Sequence, residues 1–291
     1  MTTGPDHRLA RRAIAGGLAL TLGALAAVGL APAAASAAGA RSSATATSLA
    51  ASTGLTGSAG SAGSAGSSTS TGSSTSTGSS PPASSPLCTP STFTTAQQMV
   101  ESALAERFTQ LNALVSRVNG SSTITSSDKS ALLSDIQGTE LPGIQALQTK
   151  VPTDTTCAQL RTDAHSMVYG YWVYAVMTPQ TDLVVTNDAA MAADGLLDGL
   201  EPAVSAWIRN AQAHGIDTAD AQAAFADYQA KVTAAGSLAT TGQAATLLAQ
   251  TPASHPATIP VFEQARTNLV NAADDLRAAR QDLTTVIDDL S

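Results

Sequence analysis

The sequence predicts an all-α fold: an antiparallel helical bundle of about five to six helices with a long heptad-patterned C-terminal helix, preceded by a disordered linker. Three observations carry this expectation. Ala makes up 58 of 291 residues while aromatic residues are only 3%. Ala loses no side-chain entropy in a helix, and the β-branched and aromatic residues that fill strands are too few for a large sheet. Beyond Cys88 the apolar residues recur at spacings of three and four, the period of one helix face. Finally, Phe262, Leu269, Leu276, Leu283 and Leu290 are spaced by seven, with Ala265, Ala272, Ala279 and Val286 three after each of the first four. That is an unbroken a/d heptad.

The chain divides into three compositions. Residues 1–37 read as a signal peptide. Arg8, Arg11 and Arg12 make a positive start, Ala13–Leu30 is an uncharged apolar run, and Ala35-Ser36-Ala37 is a small-x-small cleavage site, so cleavage is expected after Ala37. The alternative is an uncleaved anchor, since the run is near the lower limit for a span. Arg11-Arg12 is also similar to a twin-arginine signal, which leaves the general and twin-arginine export routes open. Residues 38–87 are built almost wholly from Ser, Thr, Gly, Ala and Pro, and residues 42–100 carry no charge. Such a segment buries too little apolar surface to offset chain entropy. It is expected to be a disordered linker, either a plain spacer or an O-glycosylated stalk. Residues 88–291 form the expected helical-bundle domain.

Within that domain the first helix is expected over Thr95–Asn119, with Val100, Leu104, Phe108, Leu111, Val115 and Val118 on one face. Thr94 and Gln97 offer a capping box, and Gly120 a left-handed C-cap. A second helix starts near Thr125 and runs to Val151, with Gly138 and Pro142 expected to break or kink it. A third spans Thr155–Met177, and a fourth Thr181–Ala213 with Gly195, Gly199 and Pro202 as weak points. A fifth runs from Asp217 or Thr218 to near Gly236, and a short one covers Ala244–Gln250. Thr258, ahead of Ile259-Pro260, opens the heptad helix, because Pro is tolerated in a first turn. The small Ala at d permits close approach of a partner helix, either from this chain or from a second copy.

Few residues suggest chemistry. Cys88 and Cys157 are the only cysteines, and in an exported chain they are expected to pair as a structural disulfide. Tyr169, Tyr171, Trp172 and Tyr174 place four of the ten aromatic residues within six positions. They are candidate ligand-binding residues, an aromatic patch for a carbohydrate or apolar ligand, with core packing as the other reading. Asp194, Asp198 and Glu201 share a helix face, but no calcium-loop spacing shapes them, so a solvated acidic face is expected and no metal. No H-E-x-x-H, G-x-S-x-G, phosphate loop or nucleotide fingerprint occurs. The expectation is no catalytic residue, no cofactor and no enzymatic activity.

Residues Tyr171–Gln180, then Leu183-Val184-Val185 and Asn187-Asp188, are similar to a segment of exported all-helical proteins of high-GC Gram-positive bacteria. The stretch Ala272–Asp282 resembles the C-terminal helix of the same group. The resemblance implies export and an all-helical domain. It brings no activity and no functional residues.

The net charge of −8 argues against a nucleic-acid partner, which needs a basic face. The sequence therefore points to a secreted or cell-surface module, monomeric, with a protein or surface partner that the residues do not name. A small-ligand carrier with an aromatic-lined pocket between helices is the alternative.

Overall fold

The computed structural model describes residues 88–291, and the signal-peptide, cleavage-site and linker expectations lie outside these residues. Among the described residues the fold is all-α. Helix α1 spans Phe93–Gly120, α2 Ser126–Asp135, α3 Leu141–Lys150, α4 Cys157–His165, α5 Thr178–Asp198, α6 Glu201–Ala213, α7 Ala219–Leu238, α8 Thr241–Leu248 and α9 Thr258–Asp289.

Consecutive long elements run antiparallel, as lateral bonds show. Gln97 at the start of α1 donates to the Val151 carbonyl just past α3, while Lys129 in α2 donates to the Asn119 carbonyl at the other end of α1. In the C-terminal half Lys231 of α7 pairs with Asp275 of α9 at 3.4 Å. Farther along, Asn268 of α9 donates to Gln243 of α8 at 2.8 Å. Helices α1 and α5 run parallel instead, joined by Gln110 to Thr178 and Arg117 to Asp182.

Two apolar clusters make the core. One gathers Val100, Leu104, Leu111, Ile136, Ile144, Leu160, Met167 and Met177 around α1. The other is built by α5 to α9 together with Val118 and Leu132. Every a and d position of α9 from Phe262 to Val286 is buried, as is Leu290 just past its end, with Ala272 and Ala279 fully so. The seam faces α7 and α5 of the same chain. Across from it α7 buries Ala221, Tyr228, Val232 and Ala235. Small residues on both helices let the backbones approach, which is why Ala rather than Leu stands at d.

The turn chemistry holds in places and fails in others. Thr125 caps α2 by accepting from the Asp128 backbone N–H, and Gly215, at φ +74°, makes the left-handed turn before α7. Thr94 and Gln97 do not form the expected box. The helix starts two residues earlier, at Phe93, and Gln97 reaches across to the Val151 carbonyl just past α3 instead. Gly120 stays helical and extended Ser121 ends α1, so no left-handed cap forms there. The buried face of α1 also turns slightly from the expected one. It runs through Val100, Leu104, Arg107, Leu111, Leu114 and Val118, leaving Phe108 and Val115 half-buried.

Gly138 does not break the second helix. It lies in a π-turn, Ile136–Glu140, that carries α2 into α3 with Pro142 in the first turn of α3. The third helix is the larger departure. After α4 the chain passes through a π-turn at Ser166–Gly170, breaks at Trp172 with φ +44°, and makes a second π-turn, Val173–Met177, that runs directly into α5. The Trp172 carbonyl accepts from the N–H groups of Ala175, Val176 and Met177. On a continuous helix the four clustered aromatic residues would point to all sides. The break lets each find a different neighbour. The fourth helix divides at Gly199-Leu200, where Gly and the following Pro202 had marked it as weak.

Candidate functional site

Cys88 and Cys157 form a disulfide, with Cα atoms 5.7 Å apart across a sequence separation of 69. It ties the start of the described chain to the first residue of α4. Thr156 holds that helix start by a capping box with Gln159, each side chain answering the other's backbone N–H.

The aromatic cluster lies where the chain breaks. None of Tyr169, Tyr171, Trp172 and Tyr174 is fully buried and none is fully exposed. Tyr169, Trp172 and two histidines form one strip of rings. His165 contacts Tyr169 at a centroid distance of 4.5 Å, Tyr169 meets Trp172 edge-on at 5.1 Å, and Trp172 stacks on His255 at 3.8 Å. His255 comes from the turn before α9, so the strip joins α4 to the C-terminal half of the molecule. Partial burial pushes its imidazole below the usual histidine range. The left-handed backbone of Trp172 is costly for a bulky residue, of order 1–3 kcal/mol, and such strain concentrates at functional positions.

Tyr171 and Tyr174 turn elsewhere. The Tyr171 ring lies over Gly143 of α3, so closely that a Cβ there would fall 2.1 Å from the ring. Tyr174 lies beneath the guanidinium of Arg107, 5.2 Å from its ring centroid. The structure thus brings Tyr169 and Trp172 together with two histidines, and separates Tyr171 and Tyr174 from that strip.

The carboxylates of the α5–α6 corner are spread. Asp198 is exposed and Asp194 half-buried. Glu201 accepts from Gln229 at 3.0 Å. Asp194 packs on Gly236 of α7, where a Cβ would lie 2.7 Å from its Oδ2. Burial, then the charge of Asp198, raises the Asp194 carboxyl above the usual range. Asp194 therefore departs from a solvated face. Among the described residues no group of three or more His, Cys, Asp or Glu is placed to hold a metal ion.

Several buried polar residues escaped the sequence reading. Glu140 lies on the core-facing stripe between Ile136 and Ile144, only 3% exposed, and its Oε2 has no hydrogen-bond partner. Burial, with a smaller contribution from the charge of Asp135, pushes its carboxyl up to about 8. Asp163 is buried and pairs with Lys150, and Asp154 lies buried beside them. Asp188 accepts from the Thr125 N–H at 2.9 Å. An amide network holds α8 against α5 and α9. Gln180 donates to the Leu247 and Gln250 carbonyls at 2.8 and 2.9 Å, Asn187 donates to the Thr240 carbonyl at 3.0 Å, and Gln243 donates to Asn187 at 3.1 Å. Arg107 is 4% exposed. Its signal was legible, because residues 100, 104, 107 and 111 are helical neighbours and Arg interrupts an apolar stripe.

Comparison with protein-family models, curated proteins and solved structures finds no match to this chain.

Proposed function

We propose that this chain is an exported, non-enzymatic helical interaction or structural module presented on a flexible stalk. The observation that carries this reading is the Cys88–Cys157 disulfide. Such bonds persist in oxidising compartments and are rare in a reducing cytosol. The bridge fits the Arg-led apolar leader and the small-residue cleavage site at Ala35 and Ala37. It fastens the domain at the point where the Ser/Thr/Gly/Ala-rich segment meets it, so tension or proteolysis on the stalk would stop at Cys88. The test is recovery of the protein from the culture medium or cell surface, with N-terminal sequencing and thiol labelling. A start at Ala38 and two unlabelled cysteines are expected. Intracellular accumulation with both thiols free would overturn the reading.

A second reading, a small-ligand carrier, is favoured by the half-exposed strip of His165, Tyr169, Trp172 and His255 around a strained backbone. Stacked rings offer flat apolar faces with polar edges, suited to a sugar or an apolar ligand. Titration of Trp172 with soluble oligosaccharides and aromatic compounds would change its fluorescence saturably. The same titration of Trp172→Phe identifies the reporter, because Trp207 is the chain's other Trp. An unchanged signal across both classes removes the carrier reading.

A further inference from the structure

We propose that Arg107 and Tyr174 form a binding site for a carboxylate group supplied from outside the described domain. Arg107 stands on the buried stripe of α1 and keeps only 4% of its surface open. One guanidinium nitrogen, Nη1, donates to the Ala103 carbonyl of its own helix at 3.0 Å. No other hydrogen bond joins it to the described residues. It takes no part in the ion pairs Arg117–Asp182, Lys150–Asp163, Lys231–Asp275 and Arg277–Asp274. This is notable in a region, residues 101–291, that carries 21 acidic against 10 basic side chains.

A buried guanidinium is expensive, and Arg cannot relieve the cost by losing its proton. The Tyr174 ring 5.2 Å below offsets part of it by a cation–π contact. Burial is the leading influence on Arg107 and lowers its pKa, opposed by Tyr174 and by the exposed, neighbouring Glu106. The remaining N–H donors form a planar fork, the shape that grips a carboxylate through two parallel hydrogen bonds. Burial also keeps the Tyr174 hydroxyl protonated, and so able to donate. One turn farther along both elements Gln110 donates to Thr178 at 3.4 Å, continuing the polar seam between α1 and the π-turn before α5. A planar fork with the Tyr174 ring on one side suits a flat carboxylate better than a tetrahedral phosphate.

The experiment uses the full chain with sodium acetate as probe, and sodium chloride and sodium phosphate at matched ionic strength as controls. Thermal unfolding and the 15N-detected Nε–Hε resonance of Arg107 are both recorded. Acetate, but not chloride, is expected to raise Tm and shift the Arg107 resonance saturably. Arg107→Met should unfold at the same or higher temperature in chloride, because a buried charge is replaced by an apolar side chain, and should lose the acetate response. Arg107→Lys, which keeps the charge but loses the fork, should weaken binding at least tenfold and serves if the Met variant does not fold. Equal effects of acetate and chloride on the wild type overturn the proposal. So does an acetate response retained in the variant that folds. A response to phosphate alone overturns the carboxylate assignment.

Discussion

Glu140 makes the stability of this domain fall as pH rises through neutrality. Its side chain lies between Ile136 and Ile144, 3% exposed, with no ion-pair partner and with Oε2 unsatisfied. In the unfolded chain the carboxyl titrates near 4.5, and in the fold near 8. Between these values the folded state holds a proton that the unfolded state has lost. Stability therefore declines with pH across that window and levels off above it. Each tenfold change in proton affinity corresponds to about 1.4 kcal/mol, so the full effect is at most ~5 kcal/mol. Water entering around the charged form would reduce it, and roughly 2–3 kcal/mol is the practical expectation. Glu140→Gln removes the titration while keeping shape and polarity. Urea unfolding followed by circular dichroism at pH 5, 6, 7 and 8 measures it. The wild type should lose stability steadily over this series. The variant should show a much shallower decline and be the more stable protein at pH 8. Asp135, Asp154, Asp182, Asp188 and Asp194 are also raised by burial, and their residual effect has the same sign. If Glu140→Gln keeps the wild-type slope between pH 6 and 8, the carboxyl is not the buried, protonated group described here.

Three further outcomes can be checked by the same unfolding assay. Cys88→Ser should destabilise the domain by about 2–4 kcal/mol with helix content retained, since the bridge spans a separation of 69 residues. Leu276→Ala, at a position 1% exposed on the α7-facing seam, should cost about 2–5 kcal/mol, the range for buried Leu truncation. The loss should not depend on protein concentration, and a dilution series would expose a dimer if it did. Gly143→Ala would thrust a methyl into the Tyr171 ring and should cost about 1–3 kcal/mol by overpacking. Most of that loss should vanish in a Tyr171→Ala background, and its persistence there would show that the clash lies elsewhere.

Elements governed by local chemistry were legible in the sequence. The α9 heptad, the Thr125 start of α2 and the weak corner at Gly199 all follow from residue type and spacing alone. The cysteine pair was legible from its count. The breaks inside apolar stretches were not. Nothing in Ser166–Met177 marks two π-turns around a left-handed Trp172, because the phase shift of one inserted residue is hidden where Met167, Val168, Val173, Val176 and Met177 are all apolar. Its cause is tertiary: the Tyr171 ring must reach Gly143, Trp172 must reach His255, and Tyr174 must lie under Arg107.

The same limit explains the candidate site. The four aromatic residues were conspicuous by their density, but their division into a ring strip and two separate contacts depends on partners more than 25 residues away in sequence. Arg107 and Glu140 carry a different lesson. Each stands at a core position of its own helix, where an apolar residue would satisfy the fold at lower cost. Neither takes part in the ion pairs of the described domain. The two differ in how they meet that cost. Glu140 takes up a proton and becomes neutral, so its burial is expressed as pH dependence. Arg107 keeps its charge across the whole physiological range, so its burial is offset by the Tyr174 ring, the Ala103 carbonyl and the charge of Glu106. Replacing Glu140 should therefore alter the pH profile without touching anion response, and replacing Arg107 should do the reverse. That double dissociation separates a core tuned for stability from a position held open for binding.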